Sequence, residues 1–164
     1  RQDGDLMSTI IILSAIFVTL VGADQLLKLW AMNTLQDNPI PVIDGILEFY
    51  YHENRGAAFG MLQGGRIIFI IVTLVITAAG IWAMIKLPLF QKMGVRISTT
   101  LIIAGGIGNW IDRVFRGYVV DFIYFKPINF PIFNLADSCV TCGAIALAIF
   151  ILFSKEPETL KKDG

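Results

Sequence analysis

Charge is what this 164-residue chain has little of: Asp, Glu, Lys and Arg make up 16% of it, against 55% hydrophobic residues. A soluble domain carries closer to a quarter charged residues, so a globular domain in water is not the expectation. Mean hydropathy is +0.70. The 13 basic and 13 acidic side chains cancel. Without a basic excess the chain lacks the electrostatic footprint of a nucleic-acid binder. Cysteine is nearly missing, and Cys139 and Cys142 are too few for a disulfide framework. Their C-x-x-C spacing lies inside an apolar run, without a thioredoxin-like βαβ context, so both read as small packing residues. His52 is the single histidine. H-E-x-x-H is absent, so a zinc protease is unsupported. A histidine-based serine or cysteine triad would rest on His52 alone, beside Tyr50 and Tyr51. Internal repeats and low-complexity tracts are absent too.

What the chain does have is long apolar runs, over residues 8–30, 67–87, 97–114 and 132–153. Each is close to the ~20 residues that cross a ~30 Å hydrocarbon core as a helix. A helix satisfies its own backbone hydrogen bonds in lipid. The expected fold is therefore an all-α membrane protein with four transmembrane helices, one domain over residues 7–155. Residues 1–6, RQDGDL, do not match the apolar run that Met7 opens and read as a cloning remnant. Residues 156–164 read as a cytoplasmic tail. The connection near KLPLFQKMGVR carries Lys86, Lys92 and Arg96 and no acid, which makes it cytoplasmic by the positive-inside rule. Both termini then lie inside, and Lys155, Lys161 and Lys162 agree. The first outer connection spans residues 31–66, with a β-containing part at about 36–65. Asp44-Gly45 between two apolar runs is a hairpin signal. Phe49, Tyr50 and Tyr51 suit the headgroup level, so a small β-element is expected on the outer membrane surface. The second outer connection, residues 115–131, reads as a short loop carrying Asp121.

Polar and ionisable residues near such helices mark functional sites, and here they gather at one end. The first helix offers Asp24 and Lys28 and the third Asn109, Asp112 and Arg113. The loops add Asn54, Arg55 and Asp121, and the fourth helix Asn134 and Asp137. Helices one and three run outward and helix four inward, so a single outer layer holds them all. Asp24 and Lys28 have the favourable i, i+4 order for an ion pair, with Lys28 expected to snorkel toward the interface. Gly105, Asn109 and either Asp112 or Arg113 share one face, and AGGIGN lets helices approach closely. Asp121 and Asp137 remain. Two carboxylates at one site can share a proton and work as an aspartic dyad, one activating water and the other protonating the carbonyl oxygen. Spacing does not prove that they meet; the topology permits it. Asn134 and Asp137 also have N-cap and N3 spacing, as in a capping box. The helix dipole would favour an ionised Asp137 and leave the shared proton on Asp121. The competing reading is a small proton-coupled transporter or channel subunit, but the polar residues do not trace a path across the membrane. The presenilin-type G-x-G-D is replaced by GIGN, and the pepsin-like D-T/S-G is absent.

GNWIDR at 108–113, GYVVDF at 117–122 and FNLADS at 133–138 together resemble the bacterial lipoprotein signal peptidase (signal peptidase II) family. DQLLK at 24–28 resembles that family's first-helix motif, and NRGAAFG at 54–60 its outer-loop motif. The resemblance implies an aspartic endopeptidase of the bacterial cytoplasmic membrane, with its site near the outer face and no metal or cofactor. It would remove signal peptides from prolipoproteins, cutting before a cysteine that carries a diacylglyceryl group. Asp121 and Asp137 match the catalytic pair. Asn54, Asn109, Arg113 and Asn134 match residues lining the site. Asp24, Lys28 and Asp112 match motif residues read as structural support. The implied partners are diacylated prolipoprotein, membrane lipid and globomycin-type inhibitors. A monomer is expected. The first outer loop would lie over the substrate, moving about Gly56, Gly60, Gly64 and Gly65.

Overall fold

The apolar runs fold as helices: the first and third are longer than their hydrophobic stretches, the second is shifted by one residue, and the fourth starts three residues later. The computed structural model describes residues 2–56 and 65–153. Gly60, Gly64, most of the outer-loop motif and the tail at 156–164 lie outside them. The helices are α1 (Gln2–Thr34), α2 (Arg66–Lys86), α3 (Met93–Phe115) and α4 (Leu135–Phe153). α1 begins ahead of Met7, so most of residues 1–6 continue its first turns. Among the described residues, α1, α2 and α4 are long and apolar enough to cross a membrane. α3, at 23 residues, has the length, but its polar residues lower its hydropathy. It is also the helix the others enclose, packing against α1, α2 and α4. Its buried face includes Thr99, Asn109 and Asp112, a set that lipid would not tolerate.

Outward-facing side chains are apolar. Ile67 of α2 is 70% exposed, and Ala83 is that helix's one buried residue. Such surfaces need lipid as their solvent. Helices in lipid associate through close backbone approach, and the α3–α4 contact depends on it. A Cβ on Gly105 would overlap the Ala136 carbonyl oxygen, and one on Gly143 would lie 2.8 Å from the Ser98 carbonyl oxygen.

Three strands form one antiparallel sheet in the order β1 (Ile40–Ile43), β2 (Leu47–Asn54), β3 (Val119–Phe125). Asp44-Gly45 makes the expected hairpin: Gly45 has φ +70°, and the Ile46 N–H donates to the Ile43 carbonyl at 2.9 Å. The third strand corrects the reading of residues 115–131 as a plain loop. VVDFIYF has strong β propensity, and pairing with β2 across a long sequence separation realises it. The sheet packs on the end of α1. That helix has 33 residues, about 50 Å at 1.5 Å per residue, and so overshoots a ~30 Å core. Ala31 in its last turn and Leu35 just beyond its end join a cluster with Val120 and Phe122. Phe49 belongs to this cluster too, with ring centroids 5.4 Å from Trp30 and 6.3 Å from Phe122. Phe49 is half-buried against this cluster, while Tyr50 is 42% exposed.

Candidate active site

β3 and the start of α4 are fastened together, and this brings Asp121 near Asp137. The N–H groups of Phe122 and Ile123 donate to the Phe133 carbonyl at 3.1 and 2.8 Å. The Phe133 N–H returns a bond to the Ile123 carbonyl at 3.1 Å. Asn134 comes next and opens α4 with the expected capping box. The Asp137 N–H donates to Asn134 Oδ1 at 2.9 Å, and the Asn134 N–H donates to Asp137 Oδ2 at 3.2 Å. Two orphan donors of the helix start are thereby satisfied. Asp121 on the strand and Asp137 on the helix line one cavity of about 1020 Å³.

Two asparagines link the carboxylates. Asn134 Nδ2 donates to Asp121 Oδ1 at 2.7 Å and to Asn109 Oδ1 at 3.0 Å. Asn109 Nδ2 donates to Asp137 Oδ1 at 2.8 Å. Each amide can point only one way. The Asn134 oxygen is taken by the Asp137 N–H. The Asn109 oxygen faces the Lys28 ammonium at 2.8 Å, a group with donors only. Asn54 completes the set, donating from Nδ2 to Asp121 Oδ2 at 2.9 Å while its oxygen accepts from the Gly56 N–H at 3.0 Å. Arg113 lies over the Phe69 ring at 4.8 Å and donates to the Gly56 carbonyl at 3.4 Å. All four residues expected to line the site are thus within or beside the cavity. Burial first, and then the negative charge of Asp137, push the Asp121 carboxyl up to about 7.

Behind this layer lies a second, wholly buried one. Lys28 is 2.8 Å from Asp24 Oδ2 and 3.0 Å from Asp112 Oδ2. It does not snorkel: it is 0% exposed. Snorkelling was expected because a lysine near a helix end usually reaches water, but here two carboxylates and Asn109 hold it inside. Gly108 makes room, since a Cβ there would lie 2.7 Å from Asp24 Oδ2. The two support carboxylates hold the backbone next to the catalytic candidates. Asp24 Oδ1 accepts from the Ala136 N–H at 3.0 Å, one residue before Asp137. Asp112 Oδ2 accepts from the Val120 N–H at 3.1 Å, one residue before Asp121. The expected helix-3 face therefore uses both Asp112 and Arg113, on its two flanks.

Gln25, Arg116 and Arg66 escaped the sequence reading. Gln25 donates to the Gly108 carbonyl at 3.0 Å and to Asp112 Oδ1 at 3.2 Å. Arg116 pairs with Asp112 and donates to Gln25 Oε1 at 2.9 Å. The i, i+4 spacing of Asp112 and Arg116 was the available signal. Arg66 donates to the Arg113 and Val114 carbonyls at 2.6 and 2.9 Å, closing the end of α3. Cys139 is buried and Cys142 exposed, both free. Ser138 donates its hydroxyl to the Asn134 carbonyl at 3.1 Å. His52 lies across the strand pair from Asp121 and on the cavity rim. Among the described residues, no hydrogen bond joins it to a serine or cysteine.

The chain is similar over residues 16–153 to the family described as signal peptidase (SPase) II. A lipoprotein signal peptidase of Clostridioides difficile (strain 630) is 44% identical over 141 residues, covering 84% of this chain and 93% of the relative. One from Streptococcus pneumoniae (strain ATCC BAA-255 / R6) is 40% identical over 142 residues, covering 86% and 92%. A solved bacterial membrane enzyme superposes with a TM-score of 0.79 at 35% identity, covering 93% of this chain and 92% of that one.

Proposed function

This chain belongs to the signal peptidase II family, and from that premise we propose that it is an intramembrane aspartic endopeptidase with Asp121 and Asp137 as its catalytic pair. Membership makes it a peptidase of a bacterial membrane with a role in signal-peptide processing, and sets the transporter reading aside. The substrate is a diacylglyceryl-modified prolipoprotein, cut just before the lipidated cysteine. Both termini face the cytoplasm, and the site lies near the outer face, where a signal peptide that spans the membrane presents its end. Globomycin-type inhibitors compete for the cavity, and the enzyme works as a monomer in membrane lipid.

One observation carries the reading: a buried carboxylate, Asp121, and a half-buried one, Asp137, face one cavity and are bridged by Asn134 and Asn109. In the resting enzyme Asp121 holds the shared proton, in line with its raised titration point. Asp137 stays ionised, with the Asn134 N–H, Asn109 Nδ2 and the start of α4 supporting its charge. Asp137 takes a proton from water as the water oxygen bonds to the scissile carbonyl carbon. Asp121 gives its proton to the carbonyl oxygen. In the tetrahedral intermediate, Asp137 passes its proton to the leaving nitrogen, the C–N bond breaks, and Asp121 recovers a proton from a hydroxyl. Arg113 and Asn54, on the side of the first outer loop, orient the peptide across the pair. Asp24, Lys28 and Asp112 hold the strand and helix that present the two carboxylates.

The test compares cleavage of a purified diacylated prolipoprotein by wild type, Asp121→Asn and Asp137→Asn. Each variant is expected to fold and to lose at least about 10²-fold in rate, the low end for removing a general acid or base. Substantial activity in either one would end the dyad assignment.

A further inference from the structure

The cavity does not stop at the two carboxylates. It continues along a groove with Thr73 and Thr77 of α2 on one side, Thr141 of α4 on the other, and Gly106 of α3 between. Thr73 and Thr77 are four residues apart, as are Asp137 and Thr141, so each pair shares a helix face one turn apart. A Cβ on Gly106 would meet the Thr73 methyl carbon at 3.4 Å, so that methyl lies toward α3. Hydroxyls inside a helix ordinarily bond back along it. Ser98, Thr99 and Thr100 each donate to the carbonyl four residues earlier at 2.8 Å. Among the described residues, the hydroxyls of Thr73, Thr77 and Thr141 have no such partner. Both helices that carry them are long and apolar enough to span a membrane. Thr73 and Thr77 are half-buried and Thr141 is exposed, so their hydroxyls open onto the groove; an unpaired polar group facing lipid is costly, and three along one groove point to a polar ligand.

The reaction supplies one. A carboxylate pair can reach a peptide bond only where the main chain has left the helix. Every N–H and C=O freed by that unwinding needs a partner in lipid. β3, the strand that carries Asp121, cannot take the peptide as an added strand, because β2 holds one of its edges. The other edge of β3 is already bonded to Phe133, Asp112 and Asn134. Resting on the peptidase reading above, we propose that Thr73, Thr77 and Thr141 form a hydrogen-bonding subsite for the unwound main chain of the signal peptide, on the N-terminal side of the scissile bond. The subsite reads main-chain groups and not side chains. It accepts signal peptides of varied sequence and disfavours membrane segments that stay helical.

The experiment replaces all three threonines by valine, which keeps the shape and removes the hydroxyl. Two diacylated prolipoprotein peptides are compared, one with ordinary amides and one with ester linkages in place of the amides just before the cleavage site. Each net hydrogen bond corresponds to about 2- to 10-fold. The triple variant should therefore cut the amide substrate about 10- to 100-fold less efficiently, mainly through KM, and serine at the three positions should restore it. Wild type should lose efficiency on the ester substrate, while the triple variant should lose little more. Wild-type efficiency in the valine variant would overturn the proposal. Equal fractional losses on both substrates would overturn it too, because the threonines would then act through packing. Wild-type enzyme that cuts neither substrate would remove the peptidase reading itself, an outcome distinct from a failed subsite.

Discussion

Replacing Lys28 by methionine tests the buried layer behind the two carboxylates. Methionine keeps an unbranched apolar stem, so the change is mainly the loss of a charge. The ammonium lies 2.8 Å from Asp24 Oδ2, 3.0 Å from Asp112 Oδ2 and 2.8 Å from Asn109 Oδ1. With Asp24 and Asp112 negative and Lys28 and Arg116 positive, the cluster is neutral; the substitution leaves a net negative charge out of water. Removing one partner of a buried ion pair costs about 3–5 kcal/mol, and Lys28, at 0% exposure, has no solvent to soften the loss. Lys28→Met should lower stability by about that amount. Lys28→Met/Asp24→Asn restores neutrality and keeps an oxygen for the Ala136 N–H, so it should recover more than half of the loss. Activity should not track stability. Without the ammonium the Asn109 oxygen keeps only the bond from Asn134 Nδ2 at 3.0 Å, which loosens the amide that donates to Asp137, so both variants should stay well below wild-type kcat/KM. Denaturant unfolding in micelles, monitored by circular dichroism, gives the stabilities; prolipoprotein cleavage gives the rates. A Lys28→Met protein as stable as wild type, or a double variant less stable than the single one, would refute the reasoning.

The Asp121 carboxyl is raised from 3.8 to about 7 by burial and by Asp137, and it must be protonated to act as the acid. Cleavage should therefore fall as pH rises through about 7, and a rate that climbs above that value would contradict the assignment. The same shift bears on stability. This group favours the fold fully below its unfolded value, and that contribution is lost as pH rises toward its folded value. Asp121→Asn should flatten this part of the stability profile, read by unfolding at several pH values. Gly105→Ala would drive a methyl into the Ala136 carbonyl oxygen and bring it within 2.8 Å of Val140 Cγ2. It should cost at least about 1–3 kcal/mol and displace Asp137. Gly22→Ala, with nothing within 4 Å of the added carbon, should be neutral or stabilising by up to about 1 kcal/mol. Equal melting temperatures for these two variants would count against the close α3–α4 contact.

Much of the site was legible because its residues are costly where they stand. Asp24, Lys28, Asn109, Asp112 and Asp137 interrupt apolar helices, and periodicity alone places them on inward faces at one end. The capping box of Asn134 and Asp137 is a local pattern and was found as one. Arg116 was overlooked because it caps the end of α3, where a charged residue needs no explanation, and Gln25 because an uncharged residue beside Asp24 within α1 adds no charge pattern of its own. β3 was overlooked because its strand character depends on β2, about seventy residues earlier by the His52–Asp121 pairing, and no local window holds both partners.

By itself, then, the chain's chemistry determined the solvent, the helices and the kinds of groups available, because hydropathy and helical period act over a few residues. Only the tertiary structure decided that Asp121 meets Asp137, that Lys28 is sealed inside, and that three threonine hydroxyls share the groove. Each of these depends on backbone pairing or packing between segments distant in sequence: β3 with Phe133, α1 with α3, and α2 and α4 on α3. Proximity of that kind is a property of the closed fold, and no spacing along the chain encodes it.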